Sequence, residues 1–311
     1  MCSIVLFCAV LSGCGKAPPG SIGPRDPPAQ SDPVPSSKAN ETSHSIGPAV
    51  TASVSQEMLH SALKSKDPAE RTTTIRSLLV QERGVDAVLD AVRQEADGDR
   101  RFQLRAALFV EMNRSSALRL VETFSADDPE DIKAMVKETV IQFGDAEMLQ
   151  AIADKFDGLP PNNALRPLLA EIVREIRNPE TVEGLARLGS QAAEAEYAED
   201  ELAWSALVAL ADMGTAPSTD GIITVAETLG GEKSEGIGLI IGRIRSSEAL
   251  PVLIPTAKGK GRNVQIETRL KLIKALGNYP DEEAVLALGE LTEDGDPRIA
   301  KAAQMALQGK K

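Results

Sequence analysis

Between Asn263 and Leu307 apolar residues recur every three to four positions, stop, and recur again. Ile266, Leu270, Ile273 and Leu276 form one stripe, Gly277-Asn278-Tyr279-Pro280 interrupts it, Val285, Leu288 and Leu291 form a second, and Gly295-Asp296-Pro297 restarts the pattern. Spacing of three and four places side chains on one face of an α-helix. The stretch therefore predicts a helix, a turn and a returning helix, each with one face to bury.

Looser copies of this unit run upstream. Asp67-Pro68, an N-cap followed by an N1 proline, opens a helix through Ile75, Leu78 and Leu79. Val85, Val88, Leu89 and Val92 return, ending at Asp97-Gly98-Asp99. Phe102, Leu104, Leu108 and Phe109 predict the next first helix, and Leu118, Leu120, Val121 and Phe124 its partner. Asp128-Pro129 restarts the pattern, and similar pairs follow to Ile299–Leu307. The predicted first helices begin near 68, 99, 129, 162, 197, 233, 264 and 297, a period of 30–36 residues. One helical hairpin per period is the signature of an α-solenoid, in which each hairpin buries its remaining apolar surface on its neighbours. The expected fold is all-α, with about eight stacked hairpins.

The short period, the Asp-Pro starts and the Gly-ended helices resemble HEAT-like repeats, in particular the short bacterial, bilin-lyase type. The best match is Gly277–Leu307, where Asp294-Gly295-Asp296-Pro297-Arg298-Ile299-Ala300-Lys301 stands in the inter-repeat position, with Lys301 in place of the usual Arg. The resemblance covers about 56–308 and is weakest at 160–200. The tetratricopeptide pattern, the nearest rival by period, is absent. The resemblance implies a concave contact surface lined by the second helix of each pair.

The first 55 residues follow a different pattern. Ile4–Leu11 is an apolar run too short to span a bilayer, and it fits the core of a signal peptide. Leu11-Ser12-Gly13-Cys14 then resembles the lipobox of bacterial lipoproteins, although Met1-Cys2-Ser3 offers no Lys or Arg before the apolar run. The resemblance implies cleavage after residue 13, acyl chains on Cys14 and, with Gly15 next, the outer membrane facing the periplasm. Residues 14–55 carry eight prolines among Ser, Gly, Ala and Thr, which predicts a disordered tether that spans about 35 Å as a flexible coil. Three regions are thus expected: a signal peptide at 1–13, a lipidated Cys with its linker at 14–55, and the repeats at 56–311.

Composition narrows the chemistry. Aromatic residues make up only 3 % of the chain against 42 % hydrophobic, which suits helices packed through small and medium side chains. The net charge of −12 argues against general nucleic-acid affinity. It also conflicts, as the signal segment does, with a cytoplasmic DNA-repair enzyme of HEAT-like fold. Cys2, Cys8 and Cys14 are the three cysteines, and His44 and His60 the two histidines. From residue 61 onward, Ser–His or Cys–His catalysis and ordinary zinc ligation have no residues to use. Gly236-Ile237-Gly238-Leu239-Ile240-Ile241-Gly242 has the wrong spacing and no preceding strand for a dinucleotide loop, and its glycines fit two helices in close approach. No catalysis, cofactor, metal or small-molecule substrate is expected.

Charge is uneven along the repeats. Glu194, Glu196, Glu199, Asp200 and Glu201 form an acidic run before Trp204, a residue better placed in the core than as a ligand platform. Arg243, Arg245, Lys258, Lys260, Arg262, Arg269, Lys271 and Lys274 form a basic stretch, in which the loop Lys258–Arg262 would offer exposed backbone amides to a phosphate or carboxylate. The expected function is a membrane-anchored, protein-binding scaffold of the bacterial cell envelope, with unidentified envelope proteins as partners. Two alternatives are a binder of anionic glycan or lipid through residues 243–274, and a HEAT-like lyase-type enzyme or enzyme subunit.

Overall fold

In the computed structural model the chain divides into two units, 1–45 and 46–311. The structure describes residues 65, 67–81, 84–192, 201–229, 233–261 and 264–309, all within the second unit. The signal segment, Cys14, the linker, His44, His60, the acidic run before Glu201 and Arg262 lie outside the described residues.

Among the described residues fifteen α-helices follow one another and no strand occurs. The first helices of the hairpins are α1 (Pro68–Leu79), α3 (Gly98–Glu111), α5 (Glu130–Phe143), α7 (Leu165–Glu175), α9 (Glu201–Met213), α11 (Lys233–Ile241) and α13 (Ile266–Leu276). Their partners are α2 (Gly84–Gln94), α4 (Arg114–Thr123), α6 (Ala146–Asp157), α8 (Val182–Gln191), α10 (Ala216–Thr228), α12 (Leu250–Ala257) and α14 (Glu282–Leu291). A fifteenth helix, α15 (Pro297–Gln308), closes the series. Each helix packs against the helices two before and two after it. First helices thus form one layer and second helices another, with a continuous apolar core between them. This is the α-solenoid of HEAT-like hairpins expected from the period.

Local chemistry sets several starts. The Asp67 carboxylate accepts from the Ala69 N–H at 2.9 Å, with Pro68 at the first position of α1. Asp97, Asn113, Asp145 and Asp296 cap α3, α4, α6 and α15 in the same way. At Asp128-Pro129 the helix starts as expected, but without an Asp cap. Pro129 takes the N-cap position without a side-chain bond and α5 begins at Glu130. Asp128 turns back to accept the Ser125 N–H at 2.7 Å and the Arg93 Nε at 2.6 Å. A guanidinium from an earlier repeat outcompetes the local helix cap.

The core follows the predicted stripes with three exceptions. Phe102, Leu239 and Val285 face solvent, at 60 %, 76 % and 38 % exposure, while Leu104, Ile240 and Leu288 beside them are buried. On α11 and α14, apolar around most of their circumference, spacing alone does not say which residues turn inward. Trp204 packs partly buried against the core. Gly238 does permit close approach: a Cβ there would come 3.3 Å from the Lys271 side chain of α13.

Candidate functional site

Polar cross-links of one repeat length run along the stack. Arg119 Nη2 on α4 reaches Asp86 Oδ2 on α2 at 2.7 Å. Lys155 Nζ on α6 donates to the Glu122 carbonyl at 2.8 Å, and Arg187 on α8 donates to Gln150 on α6. These bonds lace the first four second helices together. Between α8 and α10 small residues do the closing, since a Cβ on Gly221 would stand 3.2 Å from the Ala186 Cβ. On the first-helix side Asp212 binds two arginines, Arg177 at 2.9 Å and Arg243, from the turns on either side of it.

The predicted basic stretch is divided among three places. Arg243 is paired with Asp212, and Arg245 donates to the carbonyls of Gly242 and Ile244. Lys258, Lys260 and Arg269 gather at the turn after α12. Lys258 pairs with Glu290 at 2.7 Å, and Arg269 pairs with Asp294 at 2.6 Å and donates to the Ala257 carbonyl at 2.8 Å. Lys260 is exposed beside them. Lys271 lies along α11, where burial lowers its amine pKa, and Lys274, one turn further along α13, is exposed.

The expectation of free amides in the Lys258–Arg262 loop is corrected for the described residues. The N–H groups of Lys258, Gly259 and Lys260 point back to the carbonyls of Ile254, Thr256 and Pro255. This is a Schellman cap on α12, with Gly259 in the left-handed region at φ 70°. A helix C-terminus turns its amides inward and leaves carbonyls outward, the wrong polarity for an anion.

One part of the second-helix layer lies open. A groove of about 380 Å³ runs between α12 and α14, lined by Leu250, Pro251, Ile254, Pro255 and Lys258 on one wall and Glu283, Leu286, Ala287 and Glu290 on the other. The helices run parallel, since Ser247 bonds Asp281 near their starts and Lys258 bonds Glu290 near their ends. Both walls follow the spacing i, i+3, i+4, i+7. Leu286 stands 60 % exposed on the rim. Pro255 has no N–H to give the Pro251 carbonyl four residues earlier, which leaves an acceptor at the groove lip. The Lys258–Glu290 bridge closes one end, and Glu283 marks the other. Sequence reasoning singled out Lys258 but missed the groove. Its signal was Leu250-Pro251-Val252-Leu253-Ile254-Pro255, a helix with more apolar residues than one face can bury.

No family model matches the chain, and no curated protein does. Solved structures do match. The chain is similar to human deoxyhypusine hydroxylase in complex with glycerol, at 16 % identity and a TM-score of 0.29, over 73 % of this chain and 96 % of that one. It is also similar to a chain from the computational design of self-assembling cyclic protein homooligomers, at 12 % identity and a TM-score of 0.15, over 84 % and 91 %. The first of these is an enzyme, and on that finding the expectation that the present chain has no catalysis is withdrawn. Likeness this distant transfers neither an activity nor an assembly, nor a role for any residue.

Proposed function

We infer that the chain is a lipid-anchored bacterial lipoprotein, a protein-binding scaffold held in the cell envelope, with acyl chains on Cys14 and the second-helix layer as its contact surface. The observation that carries this reading is the open apolar groove between α12 and α14. Apolar surface left exposed between parallel helices is what protein contact surfaces present. The sequence Leu11-Ser12-Gly13-Cys14 and the Pro-rich segment after it support a tether with reach. The basic stretch gives less support to an anion binder, because Arg243, Lys258 and Arg269 are engaged with Asp212, Glu290 and Asp294.

Crosslinking of the full-length protein in its native membrane, followed by mass spectrometry, tests the reading. A defined envelope protein joined to Lys155, Lys258 or Lys260 is the expected result. Recovery of the chain from the cytoplasm, or membrane fractions without a protein crosslink, would overturn it.

A further inference from the structure

An endoprotease that reads a basic side chain must also draw out the backbone at the bond it cuts. A helix withholds that backbone until it opens. Among the described residues, Arg177, Arg243, Arg245, Lys258 and Lys260 are the lysines and arginines outside the α-helices. Four of them are engaged. Arg177 donates to the Arg174 and Ile176 carbonyls and pairs with Asp212, which Arg243 also binds. Arg245 donates to the Gly242 and Ile244 carbonyls. Lys258 is held by Glu290 at 2.7 Å, and its N–H by the Ile254 carbonyl at 3.1 Å.

Lys260 differs. It is exposed, and so are Gly259 and Gly261 on either side of it. Both glycines lie in the left-handed region, at φ 70° and 82°, and a Cβ on Gly261 would meet nothing within 4 Å. Without side chains they can swing to an extended backbone at little steric cost. The flanking helix ends are weak as well. Helix α12 has eight residues with Pro255 among them, and α13 starts after Gln265 without a side-chain cap. Exposed loops of small and polar residues between such ends are where folded chains are nicked.

We propose that the bond between Lys260 and Gly261 is a processing site for an endoprotease that recognises lysine. Water is the second reactant. The C–N bond breaks, the hydroxyl joins the Lys260 carbonyl carbon, and a proton goes to the Gly261 nitrogen. The cut falls between the two walls of the groove, α12 before it and α14 after it. Ser247–Asp281 at 2.8 Å, Lys258–Glu290 at 2.7 Å and Arg269 on the Ala257 carbonyl at 2.8 Å all cross the cut, as does the packing of α13 on α11 and α12. The two pieces therefore stay joined in the native stack. Residues 261–311 lose their chain connection, however, and leave under milder conditions with one groove wall. The cut site stands without the scaffold reading. Its use as a one-way switch for the contact surface rests on that reading.

Limited digestion of the full chain with a purified lysine-specific endoprotease, followed by intact-mass spectrometry, tests the proposal. The first cut beyond residue 67 is expected after Lys260, giving the fragment 261–311. Gel filtration without denaturant is expected to recover both pieces together, and urea to part them below the unfolding midpoint of the uncut chain. Lys260→Gln is expected to slow the appearance of that fragment roughly tenfold or more, while Lys258→Gln leaves its rate unchanged. Lys260 is exposed, so circular dichroism of Lys260→Gln is expected to match the parent. Chain taken from its native membrane, with no protease added, is expected to include termini at Lys260 and Gly261. A first cut at another lysine of the repeats, or fragment 261–311 released as fast from Lys260→Gln, would overturn the proposal. So would native chain without those termini. Membrane crosslinking reports partners and these masses report the cut, so the two readings can fail independently.

Discussion

Asp128 shows how one side chain can serve a distant repeat in preference to its own helix. Burial alone would raise its carboxyl pKa, but the hydrogen bonds from Arg93 and the Ser125 N–H outweigh burial and hold it below the usual range. Removing a partner from a buried ion pair costs about 3–5 kcal/mol. Arg93 is 28 % exposed and retains the Asp90 carboxylate, so the lower end applies: Asp128→Ala is expected to cost about 2–3 kcal/mol in urea unfolding. The sign with pH follows from the lowered carboxyl. Stability from this pair is present above the unfolded carboxylate pKa of about 3.9 and is lost as pH falls through the lower folded value. Asp145, held low first by Arg114, and Asp294, held low first by the Asp296 N–H, act in the same direction. The parent unfolding midpoint is expected to be level above about pH 5 and to fall below about pH 4, less steeply in Asp128→Ala. An equally steep acid slope in the variant would exclude Asp128 as a contributor. The Arg93 partnership was not legible in the sequence, because thirty-five residues separate the partners and the local Asp-Pro pattern gave a complete answer without Arg93.

At the scale of elements, caps and turns were the legible part. Asp67-Pro68 and Asp296-Pro297 start helices where local rules put them, because donor and acceptor lie within three residues. Facing was less legible. Helix α11 and the α12–α14 pair are apolar beyond one stripe, and only the positions of their neighbours show that Leu239 and Leu286 remain outside. The basic stretch misled for a related reason: the carboxylates that engage it stand 25–32 residues away along the chain. Pro255 is the feature of α12 with the clearest cost. A proline inside a helix loses one hydrogen bond and crowds the carbonyl four residues back, about 3 kcal/mol relative to alanine. Pro255 lies in the last turn of a short helix, so Pro255→Ala is expected to raise the unfolding free energy by roughly 1–3 kcal/mol. A lowered midpoint would show instead that the ring is worth more as groove wall than it costs the helix.

For the molecule as a whole, the repeat period was the most legible quantity. Starts expected near 129, 197 and 264 fall at 130, 201 and 266. The period survives local errors because it is counted over eight units. Stacked hairpins contact only near neighbours, so stability is distributed along the array. Helix α9 has seven residues buried at 3 % exposure or less, whereas α15 buries only Ile299 and Ala303. Amide hydrogen exchange is therefore expected to be slowest in α9 and fastest in α15. Equal protection in the two helices would mean that the array unfolds as one unit.

The cross-links of one repeat length also have a mechanical consequence. Pulled at its two ends, the stack carries the load in series, and each junction bears the whole of it. Arg119–Asp86, Arg93–Asp128 and Arg177–Asp212 each rivet one hairpin to the next and reach no further. Such a body yields at its weakest joint while the others hold, and extends one hairpin at a time under tension.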